Sequence, residues 1–147
     1  TRFVQNYSSS KQSASPLAVG FGPIWLIEGG ADYLSSWVVA SEKIDDMNTM
    51  RASRINAAKR IRLPLRTIET RGGAHDAGGG SEYTLGFLGT EFLAKNYGGE
   101  QNILKFYGAT ATSPRWTDAF KDTFGIAIDE FYDKFEEYRA KNFPPTP

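Results

Sequence analysis

Pro23-Ile24-Trp25-Leu26-Ile27-Glu28-Gly29-Gly30-Ala31-Asp32-Tyr33 opens a run in which apolar residues recur through Leu34, Trp37, Val38 and Val39 with spacings of three and four. That spacing predicts a helix over 24–41, with Pro23 at or before its first turn, where a missing N–H costs nothing. Gly29 and Gly30 each cost about 1 kcal/mol relative to Ala inside a helix, so they point to a packing or site requirement. Glu28 places a carboxylate one turn into a segment otherwise made of core residues. Buried unpaired it would be expensive, so it requires a cation, a donor or water. Asp32 follows at i+4, on the same face. Two readings of this acid pair stand side by side: a surface stripe matched by arginines from elsewhere, or carboxylates set beside a metal or a closely packed helix.

The rest of the chain is read in the same way. A second helix is predicted over 44–61 and ended by Pro64. The stretch 65–80 closes on Arg71-Gly72-Gly73-Ala74-His75-Asp76-Ala77-Gly78-Gly79-Gly80, five Gly in ten residues, and is expected to be a glycine-rich loop. Helices follow over 81–97, with Gly98-Gly99 as a left-handed stop, and over 100–107. Ser113 as N-cap with Pro114 in the first turn opens a helix to Phe124, closed by Gly125. In the last helix Ile128, Phe131, Tyr132, Phe135 and Tyr138 share one face, and acids and lysines share the other. The polar, serine-rich opening 1–22 is expected to be a loop, and 144–147, with three prolines, a disordered tail. No segment alternates as a strand does, so the fold class is mainly α: one multi-helix bundle over residues 1–147.

Composition narrows function. Ten Phe, seven Tyr and three Trp in 147 residues exclude whole-chain disorder. The 17 Lys and Arg balance 17 Asp and Glu, so no global attraction to nucleic acid is expected. Without cysteine there is no disulfide frame, thiolate nucleophile or Cys-type zinc finger, and the redox compartment stays open. The longest apolar run, 24–27, is far short of the ~20 residues a membrane span needs. Thr1 is not an initiator Met, so a segment upstream is expected.

The pattern W-L-x-E-G-x-A-x-Y over 25–33 resembles the second zinc-ligand helix of the gluzincin metallopeptidases, the peptidase MA-like group that includes the aminopeptidase N and thermolysin types. The likeness continues downstream. Tyr83-Thr84-Leu85-Gly86, an apolar helix, and Tyr97-Gly98-Gly99 resemble the Y-x-x-G and closing Y/L-G-G of these enzymes. The segment 116–138 is similar to their last helices, so the resemblance covers about 22–143. It implies a fold like the C-terminal helical part of a zincin domain, with Glu28 as a zinc ligand, Asp32 orienting a zinc-bound His, and Tyr83 donating to the oxyanion. In an intact relative zinc polarises the scissile carbonyl and its water. It further implies a peptide or protein as substrate or ligand and, by analogy alone, a secreted or envelope-associated home.

One departure is large. Gluzincins carry H-E-x-x-H on an earlier helix, supplying two His ligands and a Glu base, and this chain has one His, His75. Laying H-E-x-x-H-x-x-Q over the start puts Thr1 in the fourth place, Arg2 at the second His and Gln5 at the final Gln. A guanidinium stays protonated and cannot ligate. Either the ligand helix lies on an upstream segment, or the chain is a degenerate member with Arg2 in a ligand's place. In both cases no zinc is expected to bind the chain as given, and no peptidase activity; the alternative is a non-enzymatic peptide-binding or assembly module. His75 reads as a solvated residue or as a ligand brought in by the glycine loop. Residues 51–71 hold seven basic residues against the single acid Glu69. They read as a docking strip for an anionic polymer or phospholipid, or as a basic face that balances the acidic last helix or closes over acids such as Glu28.

Overall fold

A computed structural model describes residues 22–41 and 44–147. Among them the chain is a mainly helical bundle with no strand. A π-helical turn, Trp25–Gly29, runs straight into α1 (Gly30–Ala40). Then come α2 (Ile44–Ala58), a 3-10 turn (Leu65–Glu69), α3 (Arg71–Ala77), α4 (Ser81–Asn96), α5 (Gly99–Thr110), α6 (Trp116–Phe124) and α7 (Ile128–Asn142). The Arg2 ligand position and the expected opening loop, apart from Gly22, lie outside the described residues.

Helix α4 is the hub. Residues 85–91 are all buried, so the helix is covered on every side along this stretch. It crosses the π turn at glycine against glycine. A Cβ on Gly29 would stand 2.4 Å from the Gly86 backbone, and one on Gly86 would stand 2.4 Å from the Trp25 carbonyl oxygen. No other residue fits, which accounts for the helix-weakening Gly29. Gly30 has a different reason: the Tyr107 hydroxyl occupies the space of its missing side chain and donates to the Leu26 carbonyl at 2.7 Å. An outside hydroxyl on a helical carbonyl is the kind of insertion that loosens the regular ladder, and the ladder here is π-type.

The π turn also seeds the core. Trp25 stacks on Phe131 with centroids 5.7 Å apart, and its indole N–H donates to the Tyr132 hydroxyl at 3.0 Å. Tyr132 in turn donates to Glu69 at 2.7 Å. The apolar face of α7 docks as its spacing predicts, with Phe131, Tyr132 and Phe135 fully covered. It brings in a residue the spacing did not mark. The Arg139 guanidinium is 2% exposed and donates to the carbonyls of Ala58, Ile61 and Leu63 where α2 ends. A cation at a helix C-terminus satisfies both its orphan carbonyls and its dipole. Burial draws this guanidinium below its ordinary pKa, and Glu136 opposes that.

Three expectations need correction. The glycine-rich stretch 65–80 is not all loop: it holds the 3-10 turn and α3, whose N-terminus is capped by the Thr70 hydroxyl accepting from the Gly73 N–H at 3.0 Å. Glycine content misled because Gly73 is required inside the turn, where a Cβ would collide with the Thr67 carbonyl oxygen. Only 78–80 keep the expected turn character, with Gly78 and Gly80 at positive φ. Ser113 does not cap α6, which starts at Trp116 after extended Arg115; the Ser113 hydroxyl bonds the Arg115 carbonyl instead. The tail 144–147 is held rather than disordered, since Thr146 donates to the Lys59 carbonyl through its N–H at 2.9 Å and its hydroxyl at 3.1 Å.

Candidate functional site

Glu28 leaves the π turn on the side facing the first turn of α4. Its Oε2 lies 3.3 Å from the hydroxyl of Tyr83, and its Oε1 lies 3.3 Å from Nη2 of Arg71, the first residue of α3. Both contacts are long for hydrogen bonds. The group is open: the Glu28 side chain is 28% exposed, that of Arg71 54%, and Tyr83 is 45% exposed. The Glu28 charge, first among several causes, pushes the Tyr83 hydroxyl above its ordinary pKa. The hydroxyl directs its proton at Glu28.

Asp32, one turn on, does not share this environment. Its Oδ2 accepts from Nη2 of Arg54 on α2, whose guanidinium also stands over the Phe87 ring at 5.3 Å from the centroid. Asp32 thus orients an arginine among the described residues, where the resemblance expects it to orient a histidine. The residue after it, Tyr33, is buried and donates to Glu100 at 2.7 Å. Desolvation, followed by Glu100, drives its hydroxyl well above the ordinary tyrosine range.

Of the residues nominated from sequence, Glu28 and Tyr83 are brought together, and Asp32 is close in sequence but separately engaged. His75 is exposed, on α3 and not in a loop. Arg71 and Arg54 are what the nomination missed as individuals. Their signal was the basic strip 51–71, and the strip behaves as the balancing face. Arg51 meets Glu91 at 2.8 Å, Arg54 meets Asp32, Arg66 meets Asp129 at 2.7 Å and Arg71 meets Glu28. Four of its seven cations are spent on acids of α1, α4, α7 and the π turn.

No three His, Asp or Glu side chains among the described residues converge to hold a metal ion. No described helix is long and apolar enough to cross a membrane. Comparison with family models, with curated proteins and with solved structures gave no match.

Proposed function

We propose that this chain is a partial or degenerate member of the zinc metallopeptidase class it resembles, the helical C-terminal half of a gluzincin-like domain, and that as given it binds peptide without cleaving it. The approach of Tyr83 to Glu28 carries the reading. Two side chains 55 positions apart, nominated by two separate motifs, meet at 3.3 Å on the outer edge of a glycine-tight helix crossing. Unlike the buried tyrosine–carboxylate pairs Tyr33–Glu100 and Tyr132–Glu69, this one is open to solvent on both sides.

The donor set of the described residues does not suit zinc. Glu28 supplies one carboxylate, Asp32 is taken by Arg54, and the guanidinium beside Glu28 has no lone pair to give. Zinc sites use three or four protein ligands. What the group can do unaided is recognise. A carboxylate accepts from an amine or a backbone N–H, and an exposed guanidinium donates to a carbonyl or carboxylate.

Calorimetric titration of the full chain with zinc, run beside a peptide-hydrolysis assay, tests this. No tight one-to-one uptake and no hydrolysis are expected. Peptide hydrolysis that Glu28→Gln abolishes, with or without tight zinc uptake, would overturn the non-hydrolytic reading.

A further inference from the structure

Helix α2 is fastened to the bundle by different means from the helices around it. Helices α4, α5, α6 and α7 each carry a fully covered aromatic side chain: Phe87, Phe106, Phe120 and Phe131. Over 47–58, α2 has one buried residue, Ala58 at its end, and Met47 and Ile55 reach the core only in part. Its middle is held by two arginines. Arg51 donates to Glu91 at 2.8 Å and to the Tyr138 hydroxyl at 3.1 Å, while Arg54 donates to Asp32 and lies over the Phe87 ring. Docking is opposed by the withdrawal of these ions from water, Glu91 above all, whose side chain is 5% exposed. The Arg54 Nε adds to that opposition, being buried with no acceptor among the described residues. Only the C-terminal end of α2 is tied from inside the bundle, by buried Arg139 on the carbonyls of Ala58 and Ile61.

We propose that α2 is a detachable cover: it opens as one unit while the rest of the bundle stays folded, and opening uncovers a slot lined by Asp32, Phe87 and Glu91. Local opening is easiest where few apolar contacts are lost, and over 47–58 α2 has few to lose. Its two ion pairs exchange their partners for water, which returns the hydration that docking removed. The Arg54 Nε gains a water acceptor in the same step. What opposes opening is the loss of the charged hydrogen bonds and the exposure of the Phe87 ring. The slot left behind presents two carboxylates beside that ring, the surroundings that the α2 arginines occupy when it is closed.

Hydrogen exchange of the full chain, read residue by residue by NMR with urea added below the unfolding transition, tests this. Amides of 51–58 are expected to be evenly about a hundredfold less protected than those of 85–91 in α4, and to respond weakly to urea, because opening exposes less surface than unfolding does. Two variants separate local from global opening. Arg54→Met removes a tie present only in the closed form and is expected to speed exchange at 51–58 about tenfold. Ile103→Val trims the core of α5, which the open form keeps, and is expected to speed 85–91 about fivefold while leaving 51–58 unchanged. Protection retained at 85–91 shows that each variant is folded; should Arg54→Met fail to fold, the urea series and Ile103→Val decide alone. Exchange at 51–58 that follows 85–91 under urea and in Ile103→Val overturns the cover, since α2 then opens only with the whole molecule. Protection that falls steadily from 58 to 51 overturns it too, because that pattern is fraying from one end. A folded Arg54→Met with no acceleration at 51–58 overturns the arginine fastening.

Discussion

Glu28 and Asp32 are matched in most respects: same helical rod, one turn apart, each side chain 28% exposed, each paired with one arginine. The arginines differ. Arg54 is 26% exposed, comes from the 15-residue α2 and lies over an aromatic ring, whereas Arg71 is 54% exposed and comes from the seven-residue α3 at a longer distance. With the two acids equally exposed, the difference between the pairs lies in the element that delivers the arginine. The inner pair fastens α1 to α2, and the outer pair covers a group that remains accessible.

Both pairs depend on the crossing of the π turn with α4, so the largest effect is expected where that crossing is spoiled. Gly29→Ala puts a Cβ 2.4 Å from the Gly86 backbone, which cannot move aside as a side-chain tip can. Overpacking usually costs 1–3 kcal/mol, and a backbone clash at a central crossing belongs at or above the top of that range, about 3 kcal/mol or more. Denaturant unfolding of the variant measures it, and a loss below about 1 kcal/mol would mean that the crossing relaxes freely and does not anchor the two pairs.

The tyrosines repeat the contrast between inner and outer positions. Tyr33 and Tyr132 are buried, and desolvation first, then Glu100 or Glu69, raises their hydroxyls well above the ordinary value. An unfolded tyrosine ionises near pH 10 while these stay protonated, so their contribution is complete below pH 10 and is lost as pH rises through the folded values. At pH 11 the two together are expected to remove about 3 kcal/mol of stability. Urea midpoints at pH 9 and pH 11 report the loss, and Tyr33→Phe with Tyr132→Phe should remove most of it, the remainder belonging to Tyr107, whose hydroxyl burial also raises. Exposed Tyr83, raised mainly by the Glu28 charge, adds little. An undiminished alkaline loss in the double variant would place the effect elsewhere.

Helices announced themselves in the sequence where an apolar stripe repeats. Thus α7 was legible because burying one face is what makes it helical, whereas α1 was read from a spacing whose Trp37, Val38 and Val39 are exposed, and α4 is buried on every side over 85–91. The stretch 65–80 was not, since its glycines serve two purposes that look alike on paper: Gly73 makes room inside a helix and Gly78–Gly80 makes a turn. Arg139 was illegible for a related reason. A cation at i+4 from Phe135 reads as an edge residue, and only the end of α2, assembled from a distant stretch, supplies the carbonyls that allow it to be buried. The candidate site was half legible. Glu28, Asp32 and Tyr83 stood out by position and motif, but which cation closes on which acid depends on how α2 and α3 pack, and no spacing within 51–71 encodes that.

The smallest effects give the finest test of the opening contrast. In double-mutant cycles the coupling between Arg54 and Asp32, probed with Arg54→Met and Asp32→Asn, is expected at about 1–2 kcal/mol, as for a charged hydrogen bond only partly screened by solvent. The cycle for Arg71 and Glu28, with Arg71→Gln and Glu28→Gln, is expected to give less than about 0.5 kcal/mol, the range of an exposed pair. Raising salt to about 1 M shrinks the Debye length to about 3 Å, so what remains of the outer coupling should vanish while most of the inner one survives. Equal couplings with equal salt response would show that the arginines are equivalent despite their different supports. Unequal ones would make Arg71 the more weakly held of the two arginines, beside a carboxylate whose second oxygen faces an exposed phenol.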